Sequence, residues 1–424
     1  MNYLIIGNSA AAIGAVEGIR KVDNDSSITI VSEESYYAYS RPLIAEYLSD
    51  CIEENKIWYK EKEYYDEKNV NLLLNTKIIS IDTHNKKALD SDNNEYYFDK
   101  MLIATGGTPF IPTIEGLETE GIYTFVRWDE VKKLKDDLSN IKKAVVIGAG
   151  LIGMKATEHL TKCGVNVILV ELADSILNLV LDKTGSNILH KHLEKNGVEI
   201  ITNNTVVKIN SEDNKVQSVI LKDQTLIDCD AVVIAIGVKP NTSCINNTDI
   251  ATNRGIIINN KLETNYNYIY AAGDVAEGYN ILTDNNTLLP IWPVAYRQGF
   301  IAGINMTGKE RQYDGSISMN SLEFFGLPII SAGYTTIPDD SYNENYDLNE
   351  KKNVYKKVIT KDNQLCGFVF INDIDRAGIL TGLIKDKTDI STFEKDLLND
   401  SFGLLNIPKE IVDIKVEKAL SVSI

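Results

Sequence analysis

Short, unbroken apolar runs alternate with longer stretches of helical character along most of this chain. Residues 3–7 read as a strand, 10–21 as a helix and Ser27–Val31 as a second strand. Residues 142–147, 151–163 and 165–170 repeat the same order, a duplication of design more than of detailed sequence. Strands alternating with helices in this way predict an α/β architecture built on parallel sheet. Pieces rich in Asn, Asp and Lys near 82–95, 209–215 and 340–353 are expected to be surface turns and hairpin tips. From about residue 319 the pattern changes to short strands and turns with a late helix, which suggests a separate α+β domain.

Both duplicated units carry a glycine-rich loop between the first strand and the helix. The second loop is Gly148-Ala149-Gly150-Leu151-Ile152-Gly153. Its three glycines suit a tight turn, a close backbone approach to pyrophosphate, and close packing of helix on strand. The helix N-terminus then offers unpaired N–H groups and a positive dipole end to the phosphates. Glu171 ends the following strand, 23 residues after Gly148, where a carboxylate accepts from both hydroxyls of an adenosine ribose and repels a 2′-phosphate. NADH is therefore favoured over NADPH. The first loop, Gly7-Asn8-Ser9-Ala10-Ala11-Ala12, keeps one of the three glycines, with Glu33 at the corresponding acidic position.

Two further segments bear on the first loop. Met101-Leu102-Ile103-Ala104-Thr105-Gly106-Gly107 is an apolar strand with a Thr-Gly turn. Tyr270-Ala271-Ala272-Gly273-Asp274 is a strand, a glycine turn and an aspartate, with a helix expected to follow. Asp274 can bind a ribityl hydroxyl, which only flavin nucleotides possess, or cap the expected helix.

Composition narrows the classes. A net charge of −17 argues against general nucleic-acid binding and against docking on anionic membrane. No apolar run approaches the roughly 18 residues of a membrane span, and no signal peptide is read, so the expected compartment is cytoplasmic. The five cysteines are scattered without a CxxC or CxxxxC pair, and His190 and His192 diverge on a helix, so neither a disulfide framework nor a metal site is expected.

In this order, the segments resemble the FAD/NAD two-dinucleotide-domain flavoproteins, also called pyridine nucleotide-disulfide oxidoreductases. Glu33-Glu34 and Tyr39-Ser40-Arg41-Pro42-Leu43 resemble the branch containing NADH:rubredoxin reductases, ferredoxin reductases of dioxygenase systems and apoptosis-inducing factor. The chain as a whole resembles NADH:rubredoxin reductase-like proteins, including FAD–NAD oxidoreductases associated with carbon monoxide dehydrogenase. The resemblance implies an FAD domain (1–109 and 244–318), an inserted NAD domain (110–243) and a C-terminal α+β domain (319–424). On it, Gly7, Ser9, Ala10, Ala11, Glu33, Glu34 and Ile78 hold the adenosine and pyrophosphate end of FAD, and Arg41 contacts the FAD. Ala104, Thr105 and Gly106 match the hinge leaving the FAD domain, and Gly237 lies in the returning hinge. Gly273 and Asp274 match the second FAD motif. Ile291 and Trp292 head a helix beneath the flavin pyrimidine, and Phe325 brings an aromatic over the flavin. Gly148, Gly150, Leu151, Ile152, Gly153, Glu171 and Gly237 form the NAD set.

The departures are informative. The disulfide-reducing branch carries a reactive cysteine near the position of Arg41-Pro42-Leu43; here Cys51 is the nearest. Glu46 and Lys155 stand where relatives often carry Lys and Glu. Without a cysteine relay or a catalytic side chain, the implied reaction is hydride transfer from NADH to FAD followed by electron release to a small iron–sulfur protein. Reduction of oxygen at the flavin, or NADH sensing coupled to partner binding, are the alternatives. A homodimer is left open. Lys351, Lys352, Lys356 and Lys357, or Lys132, Lys133, Lys135, Lys142 and Lys143, are candidate docking patches, with ordinary solvated surface as the competing reading.

Overall fold

The apolar run at the start of the chain becomes strand Asn2–Ile6, at the centre of a five-stranded parallel sheet ordered 269–271, 100–103, 2–6, 27–31 and 70–73. The computed structural model describes residues 1–422; the last two residues of the expected C-terminal domain lie outside the described residues. Tyr3, Leu4, Ile5 and Ile6 are all buried, as befits a central strand covered on both faces. Helix Ala10–Arg20 follows and crosses helix Trp292–Met306 at unusually close range. A Cβ on Gly14, Gly18, Gly299 or Gly303 would stand 2.3, 2.1, 1.9 and 2.2 Å from a backbone carbonyl oxygen of the facing helix. Only glycine permits that approach.

The second unit builds a like sheet, ordered 199–201, 166–170, 143–147, 231–234 and 122–124, again all parallel. The chain passes between the two units at one place. Strand Gly107–Pro109 runs antiparallel to Val238–Pro240, the Thr105 hydroxyl donates to the Asn241 carbonyl at 2.6 Å, and the Asn241 N–H donates to the Gly106 carbonyl at 2.8 Å. Exit and return are thus tied side by side.

From Met319 a five-stranded antiparallel sheet forms, ordered 319–324, 327–333, 364–371, 354–361 and 343–349. Helix Ala377–Lys385 covers one face, setting Leu380 and Leu383 over Phe368 and Phe370. The other face joins a core that also contains Leu169, Leu181 and Leu189 of the second unit and Tyr39, Ile44 and Leu48 of the first. At this seam Asp182 accepts from Lys357 Nζ at 2.9 Å and from the Tyr355 hydroxyl at 2.6 Å.

Two expectations change here. Residues 343–349 form an edge strand, because Asn343–Asn349 pairs along its length with the buried strand Val354–Lys361; only 350–353 make the tip. After Asp274 comes strand Ala276–Asn280 and no helix, since the chain turns to pair with Asn285–Leu288 and Ile256–Ile257.

Candidate functional site: a cleft between two glycine loops

Both loops open onto one cleft of about 1360 Å³. Gly7 and Gly148 take φ of 111° and 100°, a conformation that favours glycine. A Cβ at Gly7 would meet the Ala104 carbonyl oxygen at 2.1 Å, so the loop is pressed against the adjacent strand end. Helices Ala10–Arg20 and Leu151–Lys162 begin at the cleft with no side-chain cap and no acidic residue in the first turn. Their positive ends are thus left to an anionic ligand.

Gly7, Ser9, Ala10, Ala11, Glu33, Glu34, Arg41, Ile78, Ala104, Thr105, Gly106, Gly273, Asp274 and Trp292 line the cleft, as do Gly148, Gly150, Leu151, Ile152, Glu171 and Gly237. Gly153 sits behind the loop, where a Cβ would come within 1.8 Å of the Gly148 carbonyl oxygen. Ile291 precedes helix Trp292–Met306 as its N-cap; its neighbours Pro290 and Trp292 face the cleft while Ile291 does not.

Phe325 is the clearest displacement. It lies outside the cleft lining, at a tight turn between two strands of the last sheet. Its N–H donates to Glu158 at 3.0 Å, its carbonyl meets His192 Nε2 at 3.1 Å, and Lys162 Nζ stands 5.9 Å from its ring. The turn is held against the back of helix Leu151–Lys162, so the aromatic serves the domain seam and does not cover the cleft.

The carboxylates at the cleft differ in their partners. Glu171 accepts from the Ala149 N–H at 2.6 Å and the Ala173 N–H at 2.8 Å, which fastens the second loop to the strand beside it. Glu33 is crowded by Lys77 at 2.9 Å and Arg127 at 3.3 Å; burial pushes its carboxyl up, and these cations outweigh burial and hold it low. Arg41 pairs with Glu34 and donates to the Val126 carbonyl at 3.1 Å. Asp274 has no hydrogen-bond partner among the described residues, and burial raises its carboxyl, with Arg41 opposing. An unpartnered carboxylate lining a cleft is the acceptor a polyhydroxyl chain requires.

The residues present therefore fit a flavin dinucleotide: an open helix end for pyrophosphate, cations beside it, and a free acceptor at Asp274. Lys77, Arg127, Asn241 and Arg254 also line the cleft. Arg127 precedes helix Trp128–Asp137, and the only local signal for its place is Glu130, whose carboxylate accepts from the Val126 and Arg127 N–H groups. Nothing nearby in sequence announces its return to Glu33, 94 residues earlier.

The lysine patches are only partly free surface: Lys142, Lys351 and Lys352 are exposed, while other members are tied down. Lys356 and Lys357 are buried in ion pairs with Asp373, Asp400, Asp182 and Glu344. Lys135 is committed to Asp50 and the Tyr47 carbonyl. Lys132 and Lys133 lie over the rings of Tyr36 and Tyr123. Among the described residues no group of three or more His, Cys, Asp or Glu is arranged to hold a metal, and no helix is long and apolar enough to cross a membrane.

Two parallel α/β units facing each other across one cleft define a protein that binds two dinucleotides side by side. The chain belongs to the pyridine nucleotide-disulphide oxidoreductases, whose family model matches residues 1–299; residues 319–388 match the rubredoxin NAD+ reductase C-terminal domain. It is 30% identical over 400 residues to the nitrite reductase [NAD(P)H] of Bacillus subtilis, covering 92% of this chain and 48% of that protein. The chain thus spans about half the length of that relative. It is 29% identical over 331 residues to the NADH-rubredoxin oxidoreductase of Clostridium acetobutylicum, covering 78% and 81% of the two chains. A solved NADH:rubredoxin oxidoreductase from Clostridium acetobutylicum superimposes with a TM-score of 0.76 at 26% identity, over 93% of this chain and 97% of that one. By family the chain is accordingly an oxidoreductase with sites for FAD and NAD(H).

Proposed function

We propose that the chain passes electrons from NADH through FAD to a small iron–sulfur carrier of rubredoxin or ferredoxin type, without a cysteine relay. The balanced reaction is NADH plus two oxidised carriers giving NAD+, a proton and two reduced carriers. One observation carries the reading: both loops share a cleft that holds no pair of cysteines among the described residues. Cys244 alone lines it, buried, with its thiol pushed up to about 11 by burial, the opposite of a reactive thiolate. The C-terminal match to a rubredoxin reductase domain supports the choice of acceptor class.

FAD, when bound, accepts the hydride's two electrons and releases them singly. In this reading the chain's residues bind and orient. Glu171 and the Gly148–Gly153 loop seat NADH, while Arg41, Glu33 and Asp274 seat the FAD chain. Helix Trp292–Met306 starts at the cleft, and its positive end would favour negative charge on a group bound there. The three-domain division at 109/110, 243/244 and 318/319 belongs to the same reading. So does a cytoplasmic site of action, which the five free cysteines support.

Stopped-flow mixing tests it: reduction of the bound flavin by NADH, then oxidation by rubredoxin, ferredoxin or oxygen. Fast reduction followed by fast oxidation by the iron–sulfur proteins alone is expected. Rapid turnover with oxygen, or slow reduction with a long-lived charge-transfer complex, would refute the assignment.

A further inference from the structure

Helix Trp292–Met306 carries Trp292, Tyr296 and Phe300 at four-residue spacing, which places them along one face. All three are partly buried, Trp292 and Tyr296 resting one side on the core of the first unit, while Val294, Ala295, Ile301 and Ala302 form the fully buried side of the helix. Tyr296 and Phe300 stack with centroids 6.4 Å apart, and Tyr59 meets Trp292 edge-on at 5.3 Å.

Cations stand over these rings. Lys21 Nζ and Arg311 Cζ lie 6.0 and 5.7 Å from the Phe300 centroid, and Lys60 Nζ lies 5.3 Å from that of Tyr59. The glycine crossing of the two helices brings the end of helix Ala10–Arg20, and with it Lys21, against Phe300. Lys60 is balanced by Glu17 at 3.2 Å and Arg297 by Asp314 at 3.6 Å. Neither Lys21 nor Arg311 has a carboxylate within ion-pairing distance among the described residues. The patch is thus locally basic on a chain whose net charge is −17.

We infer that this face docks an acidic, single-cluster iron–sulfur carrier and is the electron exit from the cleft; the inference rests on the acceptor class proposed above. Trp292 lines the cleft, and Phe300 lies eight residues on, about 12 Å along the helix axis at 1.5 Å per residue. A carrier seated on the stripe therefore stands close to the flavin end of the helix. An acidic partner is repelled by the general surface, so the unbalanced cations set both encounter and orientation. The ring edges left open supply contact area that can be desolvated, the usual anchor of such an interface. Lys21 and Arg311, already stacked on an aromatic face, lose little freedom on binding.

The test reverses charge away from the cofactor sites with the double variant Lys21→Glu/Arg311→Glu. A matched control reverses Lys351 and Lys352 in the last domain. The face predicts a tenfold or larger rise in KM for rubredoxin or ferredoxin, with a flattened salt dependence, in the first variant only. Flavin reduction by NADH and turnover with the neutral acceptor menadione stay unchanged. Carbodiimide cross-linking followed by peptide mapping should join carrier carboxylates to Lys21 or Lys60. A KM within twofold of wild type, an equal rise in the control, or cross-links mapping elsewhere would overturn the face while leaving the acceptor class standing. Wild-type protein that reduces neither carrier sinks the acceptor class itself, and the docking face with it.

Discussion

Two glycines of one loop, three residues apart, should respond oppositely to the same added methyl. Gly150 has φ −78° and ψ −175°, open to any residue, and a Cβ there meets nothing within 4 Å. Gly150→Ala should therefore fold with stability within about 0.5 kcal/mol of wild type. Its methyl, however, occupies the space the pyrophosphate needs, and NADH affinity should fall at least tenfold, about 1.4 kcal/mol. At Gly153 the Cβ would stand 1.8 Å from the Gly148 carbonyl oxygen and 3.3 Å from the Ala235 side chain. The helix must lift or the loop must open by more than an ångström. Overpacking of that kind costs about 1–3 kcal/mol, offset by about 1 kcal/mol from alanine's better helix propensity. Gly153→Ala should thus lower the melting temperature by a few degrees, at about 2–4 °C per kcal/mol for a unit of this size. Differential scanning calorimetry and NADH titration of the two variants give the full comparison. Wild-type NADH affinity in Gly150→Ala would refute the pyrophosphate placement, and wild-type melting in Gly153→Ala would refute the packing argument.

Asp274→Ala removes the unpartnered acceptor, and purified protein should carry less flavin, read from the ratio of visible to ultraviolet absorbance; full occupancy would count against its ribityl role. Glu171→Ala strands the Ala149 and Ala173 N–H groups and removes the charge facing a 2′-phosphate. NADH should bind less tightly and its advantage over NADPH should narrow, and an unchanged ratio of kcat/KM values would contradict the assignment. Burial pulls the His159 imidazole down to about 4, so it is neutral in the fold and bonded through Nδ1 to the Ser49 hydroxyl at 2.6 Å. The unfolded chain takes up that proton first, so this stability is complete above about pH 6.5 and is lost as pH falls toward 4. Melting of His159→Gln should be flatter across that window, and a parallel pH profile would show that His159 does not titrate this way. Lys357→Met leaves Asp182 buried beside Tyr355 without its cation and should cost about 3–5 kcal/mol in denaturant unfolding; a loss below 1 kcal/mol would mean the pair is not a tie.

What the sequence revealed was local. Strand–loop–helix units with an acid at the next strand end are written in contiguous residues, so Gly7, Gly148, Glu33 and Glu171 could be placed from spacing alone. Asp274 was legible as a chemical group but not in its setting: the strand after it forms by pairing with segments on either side, which no local signal carries. Phe325 illustrates the harder failure. Its destination is decided by Glu158 and His192, 167 and 133 residues away, and by a shared apolar core. Lys356 and Lys357 looked like surface because lysine usually is, yet strand pairing and four carboxylates bury them. Arg127 went unread because its role depends on a fold-back across 94 residues. The Trp292, Tyr296 and Phe300 stripe has the spacing of a core helix, and only the structure shows that its rings keep an open edge.

The paired connector strands at Gly107–Pro109 and Val238–Pro240 make the second unit a cassette with its two cut points adjacent. A protein engineer could exchange it for another nucleotide module, to change coenzyme preference, without rerouting the chain. The seam imposes a compatibility rule on such grafts. An incoming module must offer a carboxylate where Asp182 meets Lys357 and another where Glu158 meets the Phe325 turn, or the last domain loses its footing. Modularity in this fold is therefore conditional: the backbone permits transplantation at two points, while two buried acids decide which donors are accepted.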